Sequence, residues 1–224
     1  MTETPLPDTL QDPAGLRSMD FGPLQIRYDD RVLLPRPWTA AQSRWGAELL
    51  RTAPDGPVLE LCSGAGHIGL LMLALAVREP GPVRSLVCVD AEPAAVELTR
   101  LNAAAAGLGE LVEVRHARLE EALADDERFA VVVADPPWVP TDETGRYPED
   151  PLTAIDGGDD GLDVARACVA LAARHLRPGG STVVQLGTER QAELLAADPV
   201  RGDLVPGEVR VEERGVLLRL DRPA

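Results

Sequence analysis

The apolar run Phe129-Ala130-Val131-Val132-Val133-Ala134 leads directly into Asp135-Pro136-Pro137-Trp138, and that junction limits the possible folds more than any other stretch. A short unbroken apolar run bounded by turn residues reads as a strand buried on both faces, as in a parallel sheet. It cannot continue through two prolines, each of which lacks a backbone N–H and holds φ near about −65°. The residue before a proline is itself kept extended. The tetrapeptide is therefore a stiff platform at the carboxyl end of a strand, carrying one carboxylate and one indole. Open α/β sheets bind their ligands at that edge. Taken alone, the same four residues are also an ordinary proline-rich turn, so the rest of the chain must decide.

Strand and helix patterns alternate around this junction. The spacing predicts strands at 58–61, 85–89, 111–114, 129–134 and 182–186. Helices are predicted from His67 to about Arg78, from Pro93 to Ala106 with Gly107 as the stop, at 119–123, 162–176 and 189–196, and a hairpin at 208–212 and 215–220 closes the chain. Upstream, 24–28 alternates as a strand. Asp29-Asp30 then offers a turn through which 31–34 can return as its hairpin partner, and Thr39 is a candidate N-cap for a helix to about Arg51. A run of βα units implies an α/β fold, a mostly parallel sheet with helices on both faces, forming one domain over residues 21–224. Residues 1–20, rich in Pro, Asp and Thr, are expected to be a flexible arm.

The charge balance narrows the function. Against 22 Lys and Arg stand 37 Asp and Glu, a formal net charge of −15. Nucleic-acid affinity comes largely from basic side chains neutralising phosphates, so this composition argues against a nucleic-acid partner. Cys62, Cys88 and Cys168, and His67, His116 and His175, are scattered without metal-ligand spacing, so no metal site is expected. No apolar stretch reaches membrane-spanning length and no secretory signal pattern opens the chain, which predicts a cytoplasmic protein without a membrane partner.

Gly64, Gly66 and Gly69 fit G-x-G-x-x-G, with Asp90 some twenty residues on, the spacing of a dinucleotide site. Two features disfavour NAD. Cys62 and Ser63 separate the strand from the first glycine, and Glu60 places an anion where a pyrophosphate would lie nearby. A carboxylate suits a cofactor with a cationic group, and S-adenosylmethionine, with its sulfonium and ammonium and no phosphate, has that character. Asp90, at the end of the second strand of the run, can accept hydrogen bonds from two ribose hydroxyls. Alternatively, Glu60 is a solvated strand-end charge and Asp90 a cap for the helix at Pro93.

Taken in order, Glu60-Leu61-Cys62-Ser63-Gly64-Ala65-Gly66, Asp90 and Asp135-Pro136-Pro137-Trp138 resemble the class I S-adenosylmethionine-dependent methyltransferases that methylate nitrogen. Val32-Leu33-Leu34-Pro35-Arg36-Pro37 and Ala154-Ile155-Asp156-Gly157-Gly158-Asp159-Asp160-Gly161-Leu162-Asp163 are similar to two segments of the HemK/PrmC protein-(glutamine-N5) methyltransferases. The resemblance implies a Rossmann-like seven-stranded sheet with an antiparallel last strand. It implies S-adenosyl-L-methionine as cofactor, with Glu60, Cys62, Gly64, Gly66, Asp90, Ala91 and Arg118 around it. Asp135, Pro136 and Trp138 become the catalytic set, with Asp135 Oδ and the Pro136 carbonyl accepting from the acceptor nitrogen and Trp138 as a flat wall. The chain departs from the family pattern in four places. Asp135 stands where Asn is usual, Arg118 and Trp38 stand where acidic residues are usual, and no counterpart of the family's N-terminal helical domain is expected. Three readings follow: an N-methyltransferase acting on a protein glutamine or a small-molecule amine or amide, a nucleic-acid adenine or guanine N-methyltransferase, and a non-catalytic S-adenosylmethionine-binding protein.

Overall fold

The computed structural model describes residues 15–79 and 81–224. Seven strands form one sheet: β3 (Val58–Leu61), β4 (Leu86–Asp90), β5 (Val112–His116), β6 (Phe129–Ala134), β7 (Leu176–Leu186), β8 (Val205–Val211) and β9 (Val216–Asp221). Their order is β5-β4-β3-β6-β7-β9-β8, with β9 antiparallel to both neighbours and the pairs from β5 to β7 parallel. The chain moves outward from β3 to β5 on one side and restarts at β6 on the other. The carboxyl ends of β3 and β6 therefore flank a topological switch point, where such sheets open a crevice.

Strand β6 forms over the predicted residues because its two faces have different work. Val131 and Val133 pack on one face with α1 (Ala40–Leu49) and α2 (His67–Ala76), around Trp45, Ile68 and Leu70. Val132 and Ala134 pack on the other with α5 (Asp163–His175) and α6 (Glu189–Ala197), around Val169 and Leu195. A strand buried on both sides has no polar face to display, hence the continuous apolar run. Helix α3 (Pro93–Ala105) completes the first layer, and the short α4 (Leu152–Ile155) lies in the connection between β6 and α5.

The upstream hairpin differs from the expectation. The strand β2 (Leu24–Tyr28) pairs with β1 (Arg17–Phe21), which precedes it, and not with 31–34. Gly22, at φ +62°, supplies the tight turn before Pro23. At 29–31 the chain curls on itself instead, with Asp29 Oδ1 accepting from the Arg31 backbone N–H at 2.9 Å. Of the expected arm, residues 1–14 lie outside the described residues, whereas 17–20 belong to β1. The hairpin covers α2 and α3 through Phe21, Ile26, Leu71 and Leu98. Thr39 does not cap α1 with its side chain; it sits in a 3-10 turn and its hydroxyl donates to Arg36 O at 2.8 Å. Among the described residues no helix is long and apolar enough to cross a membrane.

Helix α2 is fastened to the sheet by a buried carboxylate. Glu60 is 2 % exposed, and its Oε1 accepts from the Gly69 N–H at 2.9 Å while the Cys88 thiol donates to Oε2 at 3.2 Å. A Cβ on Gly69 would lie 2.4 Å from Glu60 Oε2, so the glycine is required by this approach. Gly69→Ala is expected to cost about 1–3 kcal/mol, as overpacked cores do, read as a lower midpoint in urea unfolding.

Candidate active site

A cavity of about 480 Å³ opens at the switch point. Its floor is the loop after β3. Cys62 there holds φ +57°, the one non-glycine residue with positive φ among the described residues, and Gly64 and Gly66 follow in the same left-handed region. The turn is closed by Gly66 N–H donating to Ser63 O at 2.7 Å and Ser63 N–H donating to Val89 O at 3.2 Å. Asp90 braces it from β4, with Oδ2 accepting from the Gly64 N–H at 2.8 Å and Oδ1 from the Glu92 N–H at 2.9 Å. Burial raises the Asp90 carboxyl above its usual range, and the two backbone donors oppose that rise.

The expected site residues separate into two groups. Cys62, Gly64, Asp90, Ala91, Arg118 and Asp135 line the cavity; Glu60, Gly66, Pro136 and Trp138 are not part of its lining. Glu60 shares a strand face with Val58, the face covered by α2, so its carboxylate ends beneath the helix and outside the cavity lining. Gly66 serves the turn, since a Cβ there would lie 2.7 Å from Thr99 Cγ2. The Trp138 ring lies against Gly187, where a Cβ would come within 2.4 Å of Cε3; the wall beside Asp135 is formed by Pro137 instead. Arg118 reaches the rim with an exposed side chain, 3.8 Å from Glu120.

Other residues complete the cavity without a signal in the sequence pattern. His67, the first residue of α2, lines it while packed edge-on against Phe21. Its Nε2 lies 3.2 Å from Thr39 Oγ1, whose own proton goes to Arg36 O, so Nε2 carries the hydrogen and the buried Nδ1 has no partner. Burial lowers its pKa to about 4, so the ring is neutral at pH 7. Asp163 and Ala167 of α5 close one side. Across the mouth, Arg36 Nη2 donates to both oxygens of Asp150 at 2.9 Å, tying the loop at 31–36 to the segment that carries Pro151 and Ala154.

Asp135 reaches the same cavity from β6. Its carboxyl sits at the end of β6, half-buried, with no hydrogen-bond donor among the described residues. Desolvation alone pushes its pKa up to about 7. A half-buried carboxylate without a protein donor favours any ligand that brings N–H donors or positive charge. The cavity also fits a cofactor without phosphates. Glu60 already takes the Gly69 N–H, a donor at the start of α2 that a pyrophosphate would use, and sets an anion next to it. Of the residues expected at such a cofactor, the lining keeps Cys62, Gly64, Asp90, Ala91 and Arg118.

Comparison with known proteins agrees with this geometry. Residues 43–147 match the Methyltransferase small domain family. The human Mettl16 catalytic domain, solved in complex with an RNA hairpin, superposes with a TM-score of 0.67 at 17 % identity, over 91 % of this chain and 75 % of that one. The chain has the fold of the class I methyltransferases, and its domain match falls within the same class. Within that class its sequence resembles the HemK/PrmC glutamine methyltransferases. It is 37 % identical to the release factor glutamine methyltransferase of Mycolicibacterium smegmatis, over 74 % of this chain and 57 % of the relative. It is 32 % identical to the ribosomal protein uL3 glutamine methyltransferase of Burkholderia pseudomallei, over 72 % and 55 %. The chain thus spans a little over half the length of these relatives.

The Asp135 environment makes a stability prediction. Its carboxyl titrates near 7 in the folded chain against 3.8 ordinarily, so the folded state holds the proton more tightly and loses stability as pH rises through that interval. Asp135→Asn removes this loss. The variant is expected to melt at the wild-type temperature near pH 4 and several degrees higher at pH 8. Equal differences at both pH values would show that the carboxyl is not desolvated.

Proposed function

We propose that this chain transfers a methyl group from S-adenosyl-L-methionine to an amide or amine nitrogen, and that the acceptor is a protein glutamine or a small molecule carrying such a nitrogen. The observation carrying this reading is the unpartnered, desolvated Asp135 carboxylate on a rigid Pro-Pro turn, in the same cavity as Gly64 and Asp90. The bound cofactor supplies an electrophilic methyl on a cationic sulfonium. Asp90 and the Gly64 loop hold its polar ends, and Cys62 and Ala91 lie beside them.

An amide or aromatic amine nitrogen is a weak nucleophile because its lone pair is delocalised. Asp135 Oδ takes one of its N–H groups, and the carbonyl of Pro136, which lies outside the lining but between the two lining residues Asp135 and Pro137, is the expected acceptor of the second; this fixes the lone pair toward the methyl and favours the positive charge that grows on nitrogen. The two prolines keep both acceptors from rotating away. His67 is neutral and its Nε2 hydrogen is taken by Thr39, so it adds no competing donor in this pH range. The sequence relatives named for protein glutamines, and the net charge of −15, favour a protein or small-molecule acceptor over RNA or DNA.

Two measurements test this. Asp135→Ala is expected to abolish turnover and leave the calorimetric affinity for S-adenosylmethionine within a few-fold; comparable turnover by the variant would remove Asp135 from the mechanism. Tritiated methyl donor offered with a release factor, total tRNA or a metabolite extract identifies the acceptor class. Label entering tRNA alone overturns the protein or small-molecule assignment, and label entering none, with donor bound, leaves a non-catalytic binding protein. On the correct acceptor, kcat/KM should climb with pH and level off above about 7 as Asp135 ionises, since the carboxylate is acceptor-only at either oxygen whereas the protonated acid presents an O–H donor and no charge.

A further inference from the structure

The platform at Asp135 does not stand on its prolines alone. Its far end, Trp138, begins a long excursion of the chain that comes back to the sheet edge at Asp160. The excursion is zipped across its base: Val139 N–H donates to Ile155 O at 2.9 Å, Gly157 N–H donates to Val139 O at 2.8 Å, and Thr141 N–H donates to Gly158 O at 3.0 Å. Pro151 and Ala154, midway along it, line the cavity. Whatever fixes the two ends of this segment therefore fixes one wall of the site.

Gln191 does so from a helix that contributes nothing to the cavity lining. It is the third residue of α6, 6 % exposed, and both ends of its amide are fully used. Nε2 donates to Trp138 O at 2.8 Å and to Asp160 O at 3.2 Å. Oε1 accepts from Gly187 N–H at 3.0 Å and from Thr188 N–H at 3.2 Å. The backbone N–H of Gln191 in turn donates to Thr188 Oγ1 at 3.1 Å, the other half of a capping box. One amide thus joins the start of the excursion, its end and the carboxyl end of β7. Space confirms how close the fit is: a Cβ on Gly161 would lie 2.3 Å from Trp138 O and 2.4 Å from Gln191 Nε2.

We propose that Gln191 is a positioning residue for methyl transfer, whose side-chain amide holds the Asp135–Trp138 platform and the wall at 139–160 in the geometry the acceptor nitrogen needs. It touches no reacting atom and acts through Trp138 and Asp160. Glutamine is demanded at this place because two carbonyls need a donor and two N–H groups need an acceptor. A carboxylate, a hydroxyl or an apolar chain of the same length satisfies at most one pair. Ordinary capping boxes end at the helix; here the capping side chain also reaches across to the platform, and that reach sets this residue apart. The role rests on the methyl-transfer reading above.

Three variants separate positioning from simple support of the fold. Gln191→Glu keeps an oxygen for Gly187 and Thr188 and loses both donations to the platform. Thr188→Ala weakens the cap of α6 and leaves those donations intact. Gly187→Ala pushes chiefly on the Trp138 ring, since the new Cβ would meet Cε3 at 2.4 Å, and crowds Gln191 Oε1 at 3.0 Å while keeping the amide itself. For Gln191→Glu the calorimetric affinity for S-adenosylmethionine is expected within about threefold of wild type, while kcat falls about tenfold or more, as a displaced reacting group requires. Amide hydrogen exchange at Gly157 and Gly161 should quicken in the same variant. Thr188→Ala should lower the melting temperature and move neither kcat nor those amides. Should Gln191→Glu fail to fold, Gly187→Ala carries the test through the same loss of kcat at unchanged donor affinity. Wild-type kcat in whichever of these folds, or an equal fall in Thr188→Ala, overturns the proposal. If the wild-type chain methylates no acceptor, the functional reading fails by itself. The exchange at Gly157 and Gly161 in Gln191→Glu against Thr188→Ala then decides whether the clamp exists.

Discussion

A carboxylate buried beneath the first turn of α2 holds the geometry of everything above it. An α-helix leaves its first N–H groups without partners, and here Gly66, which precedes α2, has no side chain to offer. Glu60 supplies the missing acceptor from β3 and takes a thiol hydrogen from Cys88 on β4, so one group joins two strands and a helix. Taking an anion out of water opposes this arrangement, and desolvation raises the Glu60 pKa to about 7 despite the two donors. Gly69 gives up its Cβ to admit the carboxylate. The return is a loop at 62–66 whose course is set from below and which floors the cavity.

That loop is also where the chain carries strain. A non-glycine residue in the left-handed region costs about 1–2 kcal/mol, and Cys62 occupies it between a strand that is buried throughout and two glycines. The neighbouring contacts over-determine it. Ser63 is tied to Val89, Gly64 to Asp90, and Thr99 donates to Gly64 O at 2.9 Å. Cys62 Sγ lies 3.9 Å from Cys168 Sγ, which fills the space under the loop with α5. Strain held by surrounding bonds at a ligand edge is what pre-organisation consists of.

How much of this was legible in sequence follows from which forces are local. Strand β6 and its proline stop match the expectation residue for residue, because burial on both faces and a missing N–H are written into adjacent positions. The order of βα units is equally local, and it places Asp90 and Asp135 on the same sheet edge as expected. The β1–β2 pairing was missed because Asp29-Asp30 and Gly22-Pro23 are both turn signals, and only the packing of Phe21 on Leu71 and Leu98 selects between them. Glu60 and Trp138 were assigned to the site by sequence position, but side-chain direction at a strand end depends on which face a helix covers. His67 and Gln191 gave no signal at all. Each has its role through partners far along the chain, Thr39 and Trp138, that no spacing rule connects.

The carboxyl at 135 then links the fold to the chemistry proposed for it. Asparagine in this place would hold one N–H through Oδ1 and present an amide donor beside it, with no charge and no dependence on pH. Aspartate is acceptor-only once ionised, so either oxygen can serve, but the fold makes that ionised form expensive when the cavity contains only protein and water. A methyl donor bearing positive charge at the same sheet edge lowers that cost by direct attraction. Under the proposed function, donor binding and readiness of the acceptor clamp are therefore not independent events. The cation that brings the methyl group also favours the charge state of Asp135 that can hold the nitrogen. Burial of Asp135, which weakens the folded chain at neutral pH, is the feature that makes this coupling large.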